Sequence, residues 1–258
     1  MKKEVKQVTV RISEVKKIKE DIFLLSFKSA DIARTAQPGN FLHLKLEATI
    51  LRRPLSIHKV EDKVVYLLFK ARGRGTRALA KKKKNDQLDI IGPLGNGFKV
   101  KRRENSILVA GGVGVAPLVF LAEKLREIQN PKSKIQKAVL LGAKNKQEIV
   151  CEEEFKKLGF QVKIGTEDGS RGHKGFVTDL LKEILNTQYS RLNTNIYACG
   201  PKGMFCQINK IVKDRKGINT QLSFEQFMGC GLGVCCACVI STKAGYKKVC
   251  QDGPVFRL

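Results

Sequence analysis

The chain has 258 residues, 42% of them hydrophobic, and its 49 Lys and Arg outnumber 24 Asp and Glu to give a formal charge of +25. No apolar run is long enough to span a bilayer, and the first ten residues, MKKEVKQVTV, lack the apolar segment of a signal peptide, so we expect a cytoplasmic protein without a membrane span. The charge would suit nucleic acid, but neither a helix-turn-helix nor a zinc-finger pattern accompanies it. The charge by itself suggests an acidic partner rather than nucleic acid, and anionic cofactors would neutralise part of it.

The first hundred residues contain several short predicted strands. Apolar alternation or short apolar runs occur at residues 8–12, 22–27, 41–46, 64–70 and 88–91. A single short helix is predicted over residues 77–83, capped by Thr76 and ending in the solvated run Lys81–Lys84. Many short strands with one helix predict a small antiparallel β-barrel.

Two motifs within this region are typical of anion binding. In Arg52-Arg53-Pro54-Leu55-Ser56, an arginine fork suited to a pyrophosphate precedes a rigid proline and a serine hydroxyl. Gly75-Thr76, at the predicted helix start, offers backbone N–H groups and a hydroxyl to a second phosphate. Each motif alone also fits an ordinary turn, but the two together predict a dinucleotide lying across the barrel.

From Ser106 onward, predicted strands alternate with predicted helices. The strands cover residues 107–110, 138–142, 160–164 and 195–199, and the helices cover 118–128, 152–158, 178–185 and a segment starting at Pro201. This alternation predicts a doubly wound parallel sheet with helices on both faces.

Two sites in this sheet are candidates for a nucleotide. The first strand leads into Gly111-Gly112-Val113-Gly114-Val115-Ala116-Pro117, a variant of the nucleotide-binding glycine motif that also fits a plain tight turn. The last strand ends at Cys199-Gly200, at the edge where such sheets bind ligands, although Cys199 also fits a small buried residue.

Four cysteines near the C-terminus follow the spacing C-x4-C-x2-C and then C, namely Cys230, Cys235, Cys238 and Cys250. This spacing is typical of a plant-type [2Fe-2S] cluster except for the nearer fourth cysteine, and the interleaved glycines 229, 231 and 233 allow the backbone to wrap the cluster closely. Structural zinc is the main alternative, since four-cysteine zinc sites also use C-x2-C pairs. Cys236 lies between two candidate ligands, and we expect its side chain to point away.

Six motifs in one order make the chain resemble the electron-transfer subunits of class 1B dihydroorotate dehydrogenases, within the ferredoxin-reductase superfamily. They are Arg53-Pro54-Leu55-Ser56, Gly75-Thr76, Gly111–Pro117, Cys199-Gly200-Pro201, the cysteine cluster and the terminal Cys250-Gln251-Asp252-Gly253-Pro254-Val255-Phe256. The first four are shared across the superfamily. The cysteine arrangement and its Asp-Gly-Pro-Val-Phe ending indicate the subfamily.

The resemblance implies an oxidoreductase subunit of de novo pyrimidine biosynthesis. Dihydroorotate would be oxidised at FMN in a separate catalytic subunit, and electrons would pass one at a time through [2Fe-2S] to FAD and then as a hydride to NAD+. The implied assembly is a heterotetramer with two copies of each subunit. The implied domains are an FAD-binding β-barrel over residues 1–100, an NAD-binding α/β domain over 101–218 and a [2Fe-2S] loop domain over 219–258.

The resemblance also implies a role for each matching residue. FAD would be bound by Arg53 at its pyrophosphate, by Pro54, Leu55 and Ser56 along the flavin, by backbone groups of Leu68, Phe69 and Lys70, and by Gly75 and Thr76 at phosphate. The nicotinamide nucleotide would be bound by Gly111, Gly112, Gly114, Pro117, Cys199 and Gly200, and the cluster by Cys230, Cys235, Cys238 and Cys250. Leu55 stands where the superfamily often has tyrosine, so that stacking partner is absent. We expect no acid–base catalytic residue, because His43, His58 and His173 have no convincing site around them.

Two alternative functions stay open on the sequence. One is the flavoprotein subunit of an NADH-dependent ferredoxin:NADP oxidoreductase or of a sulfide dehydrogenase, although such relatives tend to carry aspartate where this chain has Cys230. The other is a non-enzymatic, zinc-stabilised binding module, which would show no visible absorbance.

Overall fold

The computed structural model describes residues 5–101, 104–128, 135–187, 193–242 and 244–258. The chain forms two compact units, Met1–Gly97 with Glu225–Val255 and Phe98–Phe224 with Phe256–Leu258. These units use different boundaries from the three predicted domains. Residues 219–223 pair in the sheet of the second unit, whereas 225–255 pack with the first, because the predicted cluster segment has too few apolar residues for a core of its own.

The first unit is built on a seven-stranded antiparallel sheet in the order β4-β3-β7-β1-β2-β6-β5. Its strands are β1 (Lys6–Lys17), β2 (Ile22–Lys28), β3 (Phe41–Lys45), β4 (Arg53–Ser56), β5 (Lys59–Glu61), β6 (Val64–Lys70) and β7 (Gln87–Leu94), with helices α1 (Ala30–Thr35) and α2 (Arg74–Ala80). The sheet curls until β4, at one end, contacts β6 near the other. Leu25, Leu67 and Ile90 are fully buried on its inner face, as the alternation in sequence predicts.

Helix α2 begins three residues earlier than predicted. Gly73, in an extended conformation, is its N-cap, and Thr76 is the third helical residue rather than the cap. The Thr76 hydroxyl accepts hydrogen bonds from the backbone N–H groups of Arg72 (3.0 Å) and Gly73 (3.2 Å), so it satisfies donors that precede the helix. The helix ends at Ala80, and the lysine run therefore follows it instead of forming its last turn.

The second unit contains a sheet in the order β11-β10-β9-β8-β12-β13-β16, in which the neighbouring strands from β11 to β13 pair in parallel. Its strands are β8 (Asn105–Gly111), β9 (Lys137–Ala143), β10 (Gln161–Thr166), β11 (His173–Lys174), β12 (Thr194–Cys199), β13 (Ile218–Ser223) and β16 (Val255–Arg257), and its helices are α3 (Ala116–Ile128), α4 (Glu152–Lys157), α5 (Val177–Leu185) and α6 (Lys202–Val212). Every residue of β12 is buried, as expected for a central strand covered on both faces. The strand order reverses between β8 and β12, where such folds bind nucleotides.

The cysteine segment of the first unit is a loop followed by the hairpin β14 (Val239–Thr242) and β15 (Gly245–Lys248). Asn96, just after β7, holds the chain beyond this hairpin: its side-chain amide donates to the carbonyls of Gln251 (3.0 Å) and Asp252 (3.1 Å). Its backbone N–H donates to the Gly253 carbonyl at 2.6 Å. The terminal Asp-Gly-Pro motif thus attaches the cysteine segment to the barrel. Among the helices that the structure describes, none is both long and apolar enough to cross a membrane.

Candidate functional site

The hairpin brings two of the four candidate ligands into contact. Cys238 immediately precedes β14 and Cys250 follows β15, and because Val239 pairs with Lys248 their sulfur atoms lie 3.3 Å apart. Cys230 and Cys235 form a second pair, since the Cys230 N–H donates to the Cys235 sulfur at 3.3 Å and the Cys235 N–H donates to the Cys230 sulfur at 3.4 Å. A [2Fe-2S] cluster is held by four cysteines, two for each iron, and these two pairs match that requirement.

Backbone N–H groups surround the sulfur atoms. Besides the two bonds between Cys230 and Cys235, Leu232 donates to Cys230 (3.3 Å), Gly233 to Cys250 (3.2 Å) and Cys250 to Cys238 (3.4 Å). Such donors stabilise thiolates and the charge of an iron–sulfur cluster. Within the described residues, no three His, Cys, Asp or Glu side chains are grouped as ligands of a single metal ion. Two cysteine pairs whose sulfur atoms accept backbone N–H groups fit a two-iron cluster.

The surroundings shift the pKa values of two thiols in opposite directions. Burial favours the neutral form of Cys230, but N–H groups of Cys235, Leu232 and Val234 outweigh burial and lower its pKa to about 6. Burial, with the neighbouring Cys238, raises the pKa of Cys250 to about 12. Cluster binding therefore has to displace a proton from Cys250 but not from Cys230 at neutral pH.

Glycines keep the loop close to its sulfurs, and Cys236 points elsewhere. Gly231 and Gly233 have φ of +72° and +81°, which side chains rarely adopt. Cys236 itself has a φ of +57°, is exposed, and directs its sulfur towards the Val234 carbonyl at 3.7 Å. It makes none of the sulfur contacts that link the other four cysteines.

The two adjacent arginines of the predicted flavin motif have different environments. Arg52 pairs with Asp89 at 2.8 Å, and this guanidinium holds the pKa of the Asp89 carboxyl below its usual value. Arg53 donates only to the backbone carbonyls of Leu51 (2.8 Å) and Arg52 (3.2 Å), without a carboxylate partner among the described residues. Its charge is therefore available to an anionic ligand such as a pyrophosphate.

Gly75 places α2 beside Arg53. A Cβ atom at position 75 would lie 3.3 Å from the Arg53 Nε and 3.2 Å from side-chain carbons of Leu46 and Thr49. Gly75 is the second residue of α2, so its backbone N–H lacks an intrahelical partner, and its position adjoins the Arg53 guanidinium. The structure thus brings together the Arg-Pro-Leu-Ser and Gly-Thr motifs, which are separated by about twenty residues in sequence.

The remaining predicted flavin residues lie on β4 and β6. Ser56 and Leu55 are half-buried on β4. On β6, Leu68 and Phe69 are buried, with the Phe69 ring stacked on Phe23 at 5.9 Å between centroids. Because those side chains belong to the core, a ligand at β6 could meet only backbone groups there.

The two nucleotide motifs meet at the switch point between β8 and β12. A Cβ at Gly111 would lie 2.6 Å from the Pro201 ring, and one at Gly114 would overlap the Cys199 carbonyl oxygen. A Cβ at Gly200 would lie 3.0 Å from both the Cα and the N atom of Gly111. Gly112, with a φ of +54°, faces open space, and Pro117 is buried in the first turn of α3. This close approach of backbones fits a nucleotide-binding crevice.

Sequence reasoning missed three features. His43, fully buried on β3, lies directly against Gly231 of the cysteine loop. Asn96 anchors the C-terminal motif, which a lone asparagine in a turn does not reveal. The loop after β10 is tightly organised, with the Asp168 carboxylate accepting from the backbone N–H and the hydroxyl of Ser170. Its glycine-rich sequence at a strand end is the one signal that could have identified it.

Comparisons with known families identify the same cysteine segment and the same nucleotide-binding sheet. Residues 225–258 match a family model described as the iron-sulfur cluster binding domain of dihydroorotate dehydrogenase B, and residues 108–210 match an oxidoreductase NAD-binding domain. The chain is 36% identical over 256 residues to the dihydroorotate dehydrogenase B (NAD(+)) electron transfer subunit of Desulforamulus reducens, covering 95% of this chain and 94% of that protein. It is 38% identical over 258 residues to the subunit of the same name from Bacillus mycoides, covering 93% of each.

Solved structures show the same architecture. The structure of an NADH-dependent reduced ferredoxin-NADP oxidoreductase aligns with a TM-score of 0.84 at 31% identity, covering 96% of this chain and 87% of that one. A cytochrome P450 reductase from Amycolatopsis aligns with a TM-score of 0.72 at 22% identity, covering 85% and 70%, and shows the fold alone.

The predicted fold class is confirmed: a curled antiparallel sheet is combined with a parallel nucleotide-binding sheet and a cysteine loop. Family and fold assign FAD, a [2Fe-2S] cluster and NAD as its cofactors, so the zinc-stabilised module loses its support. Relatives at 36–38% identity align along nearly the whole chain, including the cysteine segment and the parallel sheet. The chain belongs to the electron transfer subunits of dihydroorotate dehydrogenase B.

Proposed function

We propose that this chain transfers electrons from dihydroorotate, oxidised at FMN in a separate catalytic subunit, to NAD+ in pyrimidine biosynthesis. The observation that carries the proposal is the pair of cysteine pairs, 230 with 235 and 238 with 250, within the same compact unit as the Arg53–Gly75 anion site. When bound, the cluster supplies one-electron transfer, FAD supplies the conversion to two electrons, and NAD+ accepts a hydride.

The cysteine loop would hold the cluster and adjust its charge. Cys230, Cys235, Cys238 and Cys250 are the proposed ligands. The N–H groups of Leu232 and Gly233 would stabilise the negative charge on sulfur, and Gly229 leaves room for the Cys235 sulfur, from which a Cβ would be only 3.0 Å away. These are binding and tuning roles, and none of them requires an acid or a base.

The curled sheet would hold FAD. Arg53 would neutralise the pyrophosphate together with backbone N–H groups at Gly75, while Ser56 would donate to the flavin ring and Leu55 and Pro54 would pack along it. Backbone groups of Leu68, Phe69 and Lys70 would line the ring or the ribityl chain. Thr76 would contact phosphate only by releasing the Gly73 carbonyl, to which its hydroxyl donates at 3.2 Å.

The switch point of the parallel sheet would receive the nicotinamide nucleotide. Gly111, Gly112 and Gly114 keep the turn free of side chains, and Cys199 and Gly200 close the opposite wall, with Pro117 fixing the start of α3. A phosphate or ribose could approach this backbone closely because no Cβ intervenes.

The partner subunit would dock beside the cysteines. Phe227, Val234 and Tyr246 are 90%, 80% and 81% exposed, and Cys235 is exposed beside them in sequence. Exposed large apolar side chains next to a redox centre fit a protein interface. The proposal includes the heterotetramer with two FMN-containing subunits and a cytoplasmic location, where thiolate ligands stay reduced.

The decisive experiment is reconstitution with the catalytic subunit of the same source. Dihydroorotate-dependent reduction of NAD+ should require both subunits, whereas the catalytic subunit alone should reduce only an artificial acceptor. The related ferredoxin:NADP activity is tested in parallel by supplying NADPH and oxidised ferredoxin. If NAD+ reduction by dihydroorotate stayed absent from the complex loaded with all cofactors, the proposal would be wrong.

Replacing a ligand separates the cluster from the flavin. Cys235→Ser should abolish the iron and sulfide content and the dihydroorotate-dependent reduction of NAD+, while FAD stays bound and NADH still reduces it. Cys236→Ser is the matched control, one residue away, and should keep full iron content because its sulfur contacts none of the others. Full iron content in the Cys235 variant would contradict the ligand assignment.

A further inference from the structure

His43 has a buried imidazole whose nitrogens make no hydrogen bond to the described residues. It lies on β3 with no exposed surface, and within the described residues neither Nδ1 nor Nε2 makes a hydrogen bond. A buried polar group left unpaired costs about 1–3 kcal/mol. A histidine at this position is therefore unfavourable for folding unless something outside the polypeptide satisfies it, since an apolar residue of similar volume would fill the site more favourably.

The ring faces the cysteine loop. A Cβ at Gly231 would lie 2.6 Å from His43 Nδ1 and 3.2 Å from Cε1 and Cγ, so only glycine allows the loop to approach the ring this closely. Gly231 directly follows Cys230 and precedes the N–H groups that donate to the Cys230 and Cys250 sulfurs. The Nδ1 edge of the ring thus faces the loop that holds two of the proposed ligands.

The backbone of the same residue lies beside the flavin strand. His43 is in register with Pro54 of β4, and the Arg52 guanidinium donates to the His43 carbonyl at 3.4 Å. His43 therefore contacts the cysteine loop through its ring and adjoins the Arg-Pro-Leu-Ser strand through its backbone. It is a direct structural connection between the proposed cluster and flavin sites.

The surroundings of the His43 ring favour its neutral form. Burial, together with the positive charges of Arg52 and Arg53, lowers the pKa of His43 below its usual value. The backbone groups of Cys230 and Arg52 raise the pKa of His43 by a smaller amount. Neither of these groups meets the distance and angle of a hydrogen bond to a ring nitrogen. A neutral imidazole has one N–H donor. It carries no positive charge that would compete with the arginines for an anionic ligand.

We propose that the His43 N–H donates to a sulfur atom of the [2Fe-2S] site, and so positions the Cys230–Cys235 loop and raises the reduction potential of the cluster. This inference rests on the ligand assignment of the proposed function. The reduced cluster carries one more negative charge than the oxidised cluster, so an N–H donor to sulfur stabilises the reduced form more strongly. His43 is a positioning residue, because it acts on the cluster through this hydrogen bond and takes no part in bond making.

The first test needs no mutation at position 43. The chain contains only three histidines, so protein grown with ring-15N histidine carries few labelled sites. Pulsed EPR of the reduced cluster should show hyperfine coupling to 15N in the wild-type protein and in His173→Gln, which alters an exposed histidine of the other compact unit. Absence of 15N coupling in a cluster-loaded wild-type protein would overturn the inference while leaving the relay function intact.

The second test measures the reduction potential. His43→Phe removes the N–H donor but keeps a planar ring, and should make the cluster harder to reduce by about tenfold in equilibrium constant, or about 59 mV for one electron. His43→Gln retains an N–H and should recover part of that shift. An unchanged midpoint in His43→Phe with full iron content would refute the role in tuning. If His43→Phe fails to load iron, the 15N coupling of the wild-type protein decides, and a wild-type protein without a [2Fe-2S] signal would refute the proposed function as well.

Discussion

Replacing Gly114 by alanine tests whether the β8–β12 switch point is the nucleotide site. The added Cβ would overlap the Cys199 carbonyl oxygen, and would lie 2.6 Å from the Cys199 carbonyl carbon and 2.9 Å from the Gly200 Cα. All three are backbone atoms at the end of a fully buried strand, so no side chain can rotate away. The turn itself has to move by about an ångström, and overpacking of this kind costs about 1–3 kcal/mol.

The rigidity of both backbones favours the upper end of that range, about 3 kcal/mol. For a chain of this size such a loss lowers the Tm by about 6–12 °C. Displacement of the crevice by about an ångström should also slow hydride transfer from NADH to the flavin by about a hundredfold. Iron and FAD content should not change, because the proposed residues for both lie in the other compact unit.

Calorimetry measures the loss in Tm, and stopped-flow reduction of the flavin by NADH measures the rate of hydride transfer. Reduction by dithionite shows whether the bound flavin itself is still reducible. The matched control is Gly203→Ala in α6, where a Cβ meets nothing within 4 Å and helix propensity favours alanine by about 1 kcal/mol. The reasoning fails if the Gly114 variant keeps both the wild-type Tm and the wild-type rate of reduction by NADH.

Three further predictions follow from the first unit. Arg53→Gln should weaken FAD binding about ten- to a hundredfold in equilibrium dialysis, because it removes a charge-assisted hydrogen bond of about 1.5–3 kcal/mol. The exposed control Arg34→Gln should bind FAD as the wild-type protein does. After chelation of the iron, iodoacetamide should label Cys230 at pH 7 but not Cys250, as measured by peptide mapping. A pKa of about 6 keeps Cys230 a thiolate at neutral pH, so its labelling should slow as the pH falls below about 6. Equal labelling of the two cysteines would contradict these opposite pKa shifts. Asn96→Ala should accelerate iron release by removing two side-chain hydrogen bonds, worth about 1–3 kcal/mol together, and an unchanged release rate would show that the tail is held elsewhere.

Much of the fold could be predicted because it depends on local patterns. Alternation along β3 and the short apolar runs of β8 and β12 predicted strands within one or two residues of those observed, whereas β1 extends five residues beyond its predicted end. The predicted start of α2 was wrong, because the helix is capped about one turn earlier by an extended Gly73 and by the Thr76 hydroxyl. Sequence alone does not show whether a threonine near a helix start is the N-cap or the third helical residue.

The sequence by itself determined which chemistry this chain can support, since the identity and spacing of Cys230, Cys235, Cys238 and Cys250 are local properties and thiolates are the usual ligands of iron–sulfur clusters. Only the tertiary structure decided that Arg52 is paired with a carboxylate whereas Arg53 has none among the described residues. It also decided that His43 lies against Gly231, nearly two hundred residues away in sequence. Those relations depend on strand pairing and chain packing between distant segments. No local pattern encodes them, because the burial of a side chain is set by whichever segment covers it.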